Sequence, residues 1–578
     1  MPHMSLNFRR GLMVAAASLV ALPALAASPD SGQLLNEQQQ RPARLPDRLP
    51  QPESKDLPVG VPDADARQVL VKAFRFTDIE GLATEEELNQ LVQPYVGKSL
   101  TFNQLQEVAN AVTAYLREKG WPLVQAYLPR QDVTDGEIEI AVIRGHVESS
   151  GVVVRGGENR ISNDTAKAFV DGALPQDGGT PGQYEFERGV LLLNDLPAVS
   201  AKTTLERGAE ANSTRVLVDV TEGSWYSGAV NLDNYGNRYT GGFRKIANAA
   251  LNSPFALGDQ LSVSGTLADR LWMEQLGYSL PLGTSGLRLS GSYTNMHYKI
   301  GKENVGLVNS GLAKTYDIRA SYPIIRTRML NVSGALGYTY KVLTDKTTAV
   351  VTSDRRVADW QPSLTVSNFD SLGGGGLSTA TLSTTIGRLD RSRMESDETT
   401  DAASAHSTGT FHKLNLSAAR LQRLTSDFSL FGSFNGQFAD KNLDSSEKLI
   451  LGGPSGIRAY PVGEGSGDVG WLTNIELRYD VPVDLPIGML QLVTFYDAGG
   501  IKWNRSRWQG DVTSATGRNY YNLSGAGVGL NLSLANIYAI RASWARTLGD
   551  NNGESTSGNN ANGLRENNQL WLSGIVYF

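Results

Sequence analysis

The stretch WLTNIELRYDV, residues 471–481, alternates along its whole length between two kinds of side chain. One set is mainly apolar and the other mainly polar or charged: Trp471, Thr473, Ile475, Leu477, Tyr479 and Val481 against Leu472, Asn474, Glu476, Arg478 and Asp480. Successive side chains of a β-strand point to opposite faces of its sheet. The pattern therefore predicts a strand with one face in water and the other in an apolar environment.

Similar alternation continues from Glu222 to the last residue, Phe578, without helical periodicity. Short turns such as PLGTSG at 281–286 alternate with long polar loops such as the one at 549–569. A soluble sandwich also produces alternation, but the stretch is long for one sandwich, and its last strand ends on phenylalanine, as bacterial outer-membrane strands commonly do. Strands of about ten residues predict a β-rich fold, a closed transmembrane barrel of about 16 strands.

Composition narrows the class of protein further. The chain has 578 residues, a net charge of -6 and no cysteine. This length predicts more than one domain, and the acidic balance argues against a nucleic-acid partner. The absence of cysteine suits an oxidising compartment. No apolar run of about 18 residues occurs in the body of the chain, which excludes a helical membrane span there.

The N-terminus has the features of a secretory signal peptide. Arg9 and Arg10 precede an apolar run at 11–25, and small residues end at Ala26. This order predicts a signal peptide at 1–26 with cleavage after Ala26, so that the mature chain leaves the cytoplasm.

Two short segments follow the signal peptide. A polar stretch predicts a helix capped by Asp30 or Ser31, with Leu34 and Leu35 as its apolar residues. Six prolines between residues 42 and 62 then predict a semi-rigid, extended linker.

A compact pattern appears between the linker and the barrel. Residues 68–145 predict the order β-α-α-β-β, with a first strand at 68–76 and a helix opened by the capping pair Thr84 and Glu87. Residues 146–222 predict the same order again. The repetition favours a duplicated module, and two unrelated small α/β domains remain the alternative.

Signatures of catalysis are incomplete. The GKS sequence at 97–99 lacks the upstream Walker A glycine, since Val92 is at that position. The GPSGI sequence at 453–457 lacks the last glycine of a nucleophile elbow. No histidine has metal-ligand spacing: the five are His3, His146, His297, His406 and His412. We therefore predict no enzyme activity, no cofactor and no metal site.

Taken together, these segments resemble the outer-membrane transporters of two-partner secretion. This is the TpsB family of haemolysin and filamentous-haemagglutinin exporters, the ShlB/FhaC/HecB haemolysin secretion/activation family within the POTRA-plus-barrel superfamily. The stretches that carry the resemblance lie at the ends of the modules and the start of the barrel, at residues 127–145, 191–197, 205–208, 231–242 and 257–265. The resemblance implies six segments: signal peptide 1–26, N-terminal plug helix 27–41, proline-rich linker 42–67, POTRA 1 68–145, POTRA 2 146–222 and transmembrane barrel 223–578.

The glycine-rich stretch GGPSGIRAYPVGEGSGDVG at 452–470 resembles the sixth extracellular loop of that family. The family tip reads Val/Ile-Arg-Gly-Tyr/Phe, and this chain has Ile457-Arg458-Ala459-Tyr460, with alanine where glycine is commonest.

The resemblance implies that this loop enters the lumen and that Arg458 pairs with an aspartate of the thirteenth strand. The matching residue is Asp497. Glu476, which the alternation places inward, is a second possible acceptor, and Tyr460 supplies the aromatic residue of the tip. The alternative is that Arg458 is a solvated loop charge.

The resemblance also implies a function. The POTRA domains capture an unfolded partner exoprotein of the haemolysin or haemagglutinin type by strand addition in the periplasm, and the barrel exports it without nucleotide hydrolysis. The implied edges are residues 121–128 beside 102–118, and 199–206 beside 183–195. The protein is expected to be a monomer in contact with outer-membrane lipid and lipopolysaccharide. The alternative function is an assembly factor that inserts other barrel proteins; a porin or gated receptor fits less well, because neither carries such modules.

Overall fold

The computed structural model describes residues 29–40, 45–49 and 68–578, apart from residues 158, 176–178, 211, 303–307, 484 and 512–513. The predicted signal peptide, its cleavage site at Ala26 and most of the proline-rich linker lie outside the described residues. No helix in the described part of the chain is long and apolar enough to cross a membrane.

The first described element is a short helix, α1 (Ser31–Gln39). Of the two predicted capping residues, Asp30 is the N-cap, and its Oδ1 accepts a hydrogen bond of 2.8 Å from the backbone N–H of Gln33. Leu34 and Leu35 are fully buried. Because α1 is only nine residues long, packing rather than intrinsic helix propensity must stabilise it.

The first module, residues 68–145, is a three-stranded sheet covered by two helices. Its elements are β1 (Gln68–Leu70), β2 (Ala73–Thr77), α2 (Glu85–Val92), β3 (Ser99–Thr101), α3 (Phe102–Glu118), β4 (Val124–Tyr127) and β5 (Glu137–Arg144). The sheet order is β2-β5-β4, with β2 parallel and β4 antiparallel to β5.

The single strand predicted at 68–76 is wrong, because it is two strands with different partners. The backbone N–H groups change direction at the break: Val71 still donates on the side of β3, to the Lys98 carbonyl at 3.0 Å, whereas Lys72 donates on the side of β5, to the Gly136 carbonyl at 2.7 Å. Gly136 has a φ of +77° and lies against the Leu70 carbonyl, where a Cβ has no space. The chain thus changes from pairing with β3 to pairing with β5.

The second module, residues 146–222, has the same topology, as predicted. Its elements are β6 (His146–Arg155), α4 (Asn163–Asp171), α5 (Gln183–Asn194), β7 (Val199–Arg207) and β8 (Ser213–Glu222), in the sheet order β6-β8-β7. In both modules the strand that follows the second helix, β4 or β7, is an edge strand. Each module has its own apolar core between sheet and helices.

The rest of the chain closes into an antiparallel barrel of sixteen strands, which confirms the predicted fold. The strands are β9 (Tyr226–Asp233), β10 (Arg244–Asn252), β11 (Gln260–Ala268), β12 (Leu271–Pro281), β13 (Arg288–Lys299), β14 (Asn309–Arg326), β15 (Leu330–Thr347), β16 (Val350–Asp370), β17 (Gly376–Asp390), β18 (Gly409–Arg423) and β19 (Phe428–Ala439), then β22 (Val469–Asp480), β23 (Met489–Lys502), β24 (Tyr520–Leu534), β25 (Tyr538–Thr547) and β26 (Asn568–Tyr577). The loops add α6 (Glu395–Ala402) before β18, and β20 (Leu449–Ile450) and β21 (Ser466–Gly467) before β22. β26 pairs with β9 and completes the ring.

The barrel wall has an apolar outer face and a polar inner face. On β22 the side chains of Ile475 and Leu477 are exposed, whereas Asn474 and Arg478 are buried inside. This is the alternation from which the fold was predicted. Because a closed ring leaves no unpaired strand edge, the wall satisfies the requirement of a bilayer that backbone groups be hydrogen-bonded internally.

The two ends of the barrel differ. β9 directly follows the second module, so one end faces the modules, and α5 contacts the turns there. Arg326 forms a two-bonded ion pair with Asp195, at 2.9 and 2.7 Å. The long connections, including residues 440–468 between β19 and β22, lie at the opposite end.

Candidate functional site in the barrel lumen

The connection at 440–468, called loop 6 below, folds back into the barrel. It forms an apolar cluster with the inner face of the wall, in which Ile457, Ala459 and Tyr460 are almost completely buried against Leu472 and Phe495, among others. A loop with this many glycines reaches such a position because its own backbone is internally bonded, for example from Ile457 N–H to the Leu451 carbonyl at 2.7 Å.

The structure brings three of the predicted site residues together at the loop tip. Arg458 donates to Asp497 from Nε at 2.9 Å, from Nη2 at 2.8 Å and from its backbone N–H at 3.0 Å. Its Nη1 donates to Glu476 at 2.7 Å. We call Arg458, Glu476 and Asp497 the loop-6 ion cluster. The Asp497 side chain is fully buried, and this places a two-bonded, charge-assisted pair in the lumen.

Sequence reasoning missed three further contacts of this cluster. The guanidinium of Arg458 lies 3.4 Å from the ring centroid of Phe495, Asn474 donates to Asp497 at 2.8 Å, and the Trp571 indole donates to the Arg458 carbonyl at 2.7 Å. The residues that make these contacts, Asn474, Phe495 and Trp571, occupy inward positions on β22, β23 and β26, respectively. The alternation marks each of them as lumenal, but nothing in the sequence indicates which lumenal residue meets the loop tip.

Tyr460, the fourth predicted residue, has a different environment. Its side chain lies in the apolar cluster, and its hydroxyl has no hydrogen-bond partner among the described residues. Burial raises the pKa of this hydroxyl. The aromatic ring that contacts Arg458 is therefore that of Phe495, and Tyr460 contributes apolar packing.

The structure explains the alanine at the loop tip. Ala459 lies against Gly525 on the inner face of β24, and a Cβ built on Gly525 would be only 2.3 Å from the Ala459 methyl group. The neighbouring inward glycine, Gly527, makes space for Phe495 in the same way. Gly525 thus forms a shallow seat for the loop tip, and Gly527 makes space for the ring that Arg458 contacts.

This seat predicts a compensating pair of substitutions. Gly525→Ala should displace loop 6 and reduce export, because two methyl groups cannot occupy the same space and overpacking costs about 1–3 kcal/mol. Ala459→Gly alone should have little effect, and the double variant should recover most of the loss. Secretion assays on the three variants, with barrel levels in the membrane as a reference, test this. Failure of the double variant to recover would contradict the steric explanation.

Helix α1 lies inside the same lumen. Its two leucines pack on the wall and loop residues Met296, Leu343 and Leu443, among others. Gly32 lies so close to loop 6 that a Cβ would be 2.4 Å from the Ser445 hydroxyl. The apolar residues of α1 are few, but all of their surface is buried.

Charged groups hold the first turn of α1. Arg355 of β16, which is almost completely buried, contacts Asp30 at 2.9 Å, Asp345 at 2.6 Å and Asp444 at 2.8 Å. The hydroxyl and backbone N–H of Ser31 both donate to Asp345, at 3.0 and 2.9 Å. The Ser445 hydroxyl donates to Asp30 at 2.7 Å. We call these six residues the α1 anchor: Asp30, Ser31, Asp345, Arg355, Asp444 and Ser445.

The last turn of α1 carries a carboxyl group with an unusual environment, that of Glu37. Burial raises the pKa of Glu37 from 4.5 to about 7, against the opposing effects of hydrogen bonds from Asn237 and Gln33 and of the positive charge of Arg244. Asn237 donates to both Glu37 oxygens, at 3.1 and 3.0 Å. The seated helix therefore binds a proton more tightly than the released helix does.

This pKa predicts that release of α1 depends on pH. Below 4.5 the carboxyl is protonated in both states. As the pH rises towards 7 the released helix loses its proton first, so the ratio of released to seated helix should rise by up to about tenfold per pH unit. Single-channel conductance in planar bilayers measures this ratio. Glu37→Gln should flatten the profile, and an unchanged slope in that variant would exclude Glu37 as the cause.

A short part of the linker, residues 45–49, is also held in the lumen, near the module end. Asp47 pairs with Arg541 at 2.8 Å, and Arg48 pairs with Asp480 at 2.6 Å. Leu45 packs with Leu49 on the wall. Neither ion pair was predicted, because proline density alone indicates an extended segment and says nothing about its contacts.

The lumen thus holds two segments that are not part of the wall, α1 with its linker and loop 6, and the wall around them is rich in charge. Arg478 of the wall lies between them: it donates to the backbone carbonyl of Asp47 at 3.4 Å, and at 2.9 Å to Glu476, the wall residue that Arg458 of loop 6 also contacts. Among the described residues, no group of three or more His, Cys, Asp or Glu side chains is arranged to hold a metal ion.

Comparisons with known proteins agree with this geometry. A family model for "Haemolysin secretion/activation protein ShlB/FhaC/HecB" matches residues 212–532, and one for "POTRA domain, ShlB-type" matches residues 69–145. The heme/hemopexin transporter protein HuxB of Haemophilus influenzae (strain 86-028NP) is 28% identical over 568 residues, 95% of each chain. The outer membrane transporter CdiB of Dickeya dadantii (strain 3937) is 24% identical over 445 residues, 75% of this chain and 76% of that one. The solved structure of CdiB from Escherichia coli has a TM-score of 0.68 at 19% identity and covers 95% of this chain and 96% of its own.

A closed barrel with an apolar outer face, a charged lumen and POTRA modules at one end defines an outer-membrane transporter. Because the family model matches more than half of its residues, the chain belongs to the haemolysin secretion/activation family ShlB/FhaC/HecB. This family consists of transporters rather than enzymes. Its POTRA domains lie in the periplasm, so the module end of the barrel is periplasmic and loop 6 begins at the extracellular end.

Proposed function

We propose that this transporter captures an unfolded partner exoprotein with its two POTRA domains and exports it through the barrel without nucleotide hydrolysis. The observation that carries the proposal is the lumen itself. Its wall presents polar and charged side chains to the interior, and the pieces that fill it are a nine-residue helix and a loop, both held mainly by side-chain contacts. Energy for export would come from binding and folding of the partner outside the cell.

Helix α1 acts as the plug of the resting lumen in this proposal. Three sets of contacts support the assignment: the α1 anchor at its first turn, two buried leucines in its middle, and the ion pairs of the linker below it. Each is a set of separate, modest interactions. Such a piece can leave the lumen without unfolding the wall, whose strands are paired with one another throughout.

The loop-6 ion cluster positions loop 6 in this proposal and does not contact the exoprotein. Arg458 is buried between the wall and its own loop, and its donors are used on Asp497 and Glu476. The cluster would keep the loop tip against the wall while a chain passes beside it.

The nature of the partner is suggested by the relatives. Three of them, from Haemophilus influenzae, are named heme/hemopexin transporter proteins, with 28–29% identity over 84–95% of their length. Another is named a hemolysin transporter protein, from Serratia marcescens. A large exoprotein that binds heme or hemopexin is therefore the first candidate, and one of the haemolysin type is the second. The transporter would act as a monomer, with the apolar outer face in lipid and lipopolysaccharide.

Deletion and complementation of the gene test the proposal, with proteomic comparison of culture medium, cell surface and outer membrane. One large exoprotein should disappear from the medium and surface on deletion and return on complementation, while other barrel proteins stay constant. A joint fall of many barrel proteins would instead indicate an assembly factor and would contradict dedicated export.

A further inference from the structure

The edge strand of the second module is closed at one point by a side chain of its own helix. Asn194, the last residue of α5, accepts from the backbone N–H of Ala201 at 2.7 Å and donates to the Ala201 carbonyl at 3.0 Å. Its amide group thus makes the pair of bonds that a neighbouring strand would make. Backbone pairing directions alternate along an antiparallel strand, so Ala201 is one of the residues of β7 that face away from β8.

The edge strand of the first module is closed in the same manner, but along its whole length. The Thr113 hydroxyl of α3 accepts from the N–H of Ala126 at 2.9 Å. It shares its single proton between the carbonyl of Ala109, at 3.0 Å, and that of Ala126, at 3.4 Å. The next outward residue is Val124, whose N–H donates to the Trp121 carbonyl at 3.3 Å and whose carbonyl accepts from Arg117 at 3.4 Å. β4 has only four residues, so Val124 and Ala126 are its only outward residues. Both have hydrogen-bond partners, and no part of this edge is left open.

The second module differs because β7 continues beyond its closed point. By the same alternation, Thr203, Leu205 and Arg207 face outward like Ala201. Their outward backbone groups have no hydrogen-bond partner among the described residues. All residues from Lys202 to Arg207 are exposed, whereas Ala201 is buried.

We propose that the exported chain pairs with the second module alone, along residues 203–207 of β7, and that Asn194 fixes the register by blocking Ala201. The ligand is an extended, unfolded stretch of the exoprotein, bound through its backbone. An apolar side chain of that stretch lies beside Leu205, which is 43% exposed. The inference rests on the proposed function, and it narrows the site of capture from two edge strands, β4 and β7, to β7 alone.

Site-specific photo-crosslinking in exporting cells tests the location. A photoreactive residue replaces Thr204, in the open part of β7. In a separate variant it replaces Tyr127, which follows Ala126 on the closed edge strand β4 and serves as the matched position. Arg75 of β2 and Val153 of β6 probe the opposite edges of the two sheets. The probe is the exoprotein that disappears from the medium when the gene is deleted. Adducts are expected at Thr204 only, and adducts at Tyr127, Arg75 or Val153 instead would overturn the proposal.

A pair of substitutions separates backbone pairing from side-chain contact. Leu205→Pro removes an outward N–H while the bonds to β8 remain, because proline is tolerated on an edge strand when its missing N–H faces solvent. Export should fall about fivefold to tenfold, because one hydrogen bond to the exported chain is lost and the proline ring blocks the approach of that chain to β7. Leu205→Ala keeps the N–H and should lose less than about half of that effect. Equal losses in the two variants would show side-chain recognition and contradict strand addition here.

The first module provides a reciprocal variant. Thr113→Val keeps the shape of the side chain but frees both backbone groups of Ala126, so that crosslinks at Tyr127 should appear. Continued absence of these crosslinks, in a protein whose Thr204 site still reacts, would show that hydrogen bonding by Thr113 is not what closes this edge. Failure of the inference is distinct from failure of the function: wild-type export with no adduct at Thr204 overturns the former, and absence of any exported protein overturns the latter.

Discussion

Replacing Arg458 by alanine is expected to reduce export of the exoprotein at least tenfold, while the barrel remains folded in the outer membrane. The substitution leaves the Asp497 carboxylate fully buried without its cation. Removing one partner of a buried ion pair costs about 3–5 kcal/mol. Loop 6 is also held by apolar packing and by buried ion pairs such as Asp444 with Arg355, but these lie away from the tip. At the tip, the cost shifts the equilibrium from the seated to the displaced position by a factor of about one hundred or more.

The effect should fall on loop 6 and not on the wall. Asp497 and Glu476 belong to neighbouring strands that pair through Asn474↔Asp497 and Glu476↔Phe495, and this pairing does not involve Arg458. Arg458 also reaches Phe495 and Trp571, both of which retain their wall contacts without it. Heat-modifiable migration of the barrel on gels should therefore be unchanged in the variant, and this measurement separates a displaced loop from a misfolded protein.

Two further substitutions sharpen the Arg458 experiment. Arg458→Lys keeps the charge but cannot make the two-bonded contact with Asp497, so it should recover only part of export. Arg507→Ala is the matched control, because Arg507 lies in the next extracellular loop and its pair with Asp511 is exposed on the arginine side. An exposed pair contributes about 0–1 kcal/mol, and this control should export normally. Normal export by Arg458→Ala would mean that the loop position does not matter.

The barrel and the loop-6 ion cluster were predictable for different reasons. The alternation at 471–481 is imposed by the bilayer on one face and water on the other, so every wall strand repeats it, and the count of about 16 follows from strand length. Arg458 and Asp497 were found together because the flanking residues of loop 6 resemble a known family, and Glu476 was added because the alternation places it inward. Physical reasoning then required a partner for a cation in a partly desolvated lumen.

The α1 anchor was not predictable, although its residues are visible in the sequence. Asp345 occupies an inward position of β15 and Arg355 an inward position of β16, but many other charged residues are also inward. Which of them meets Asp30 depends on how deep a nine-residue helix sits in the lumen, and that depth is set by three-dimensional packing on Leu34 and Leu35. The break between β1 and β2 was missed for a similar reason, because it reflects a change of strand partner and not of local propensity.

The two segments inside the lumen, α1 with its linker and loop 6, are connected through the wall as well as directly. Arg478 contacts the linker through the Asp47 carbonyl and loop 6 through Glu476, and its guanidinium lies 4.4 Å from the ring centroid of Phe431. When the linker leaves, Arg478 loses one partner and keeps the other. In the proposed opening, departure of α1 and the linker would leave the contacts of Arg458 with Asp497 and Glu476 in place, while loop 6 would lose the bond between Ser445 and Asp30.

Releasing the first turn of α1 should open the pore even without any exported protein. Asp30→Ala removes the ion pair with Arg355, the bonds from Ser445 and the N-cap bond to Gln33. A charged hydrogen bond contributes about 1.5–3 kcal/mol, and an N-cap contributes about 1 kcal/mol. The fraction of time that the channel conducts in planar bilayers should rise about one hundredfold or more, up to the limit set by a variant lacking residues 29–40.

The design of the Asp30 series separates charge from capping. Asparagine is as good an N-cap as aspartate, so Asp30→Asn should lose only the ionic part, about tenfold in conducting time. Gln39→Ala, at the exposed end of the same helix, is the matched control and should behave like the wild type. If Asp30→Ala conducts no more than Gln39→Ala while the deletion variant conducts freely, then the buried leucines alone hold the plug. The charges around Arg355 would in that case serve to neutralise one another within the wall and loop, without contributing to closure.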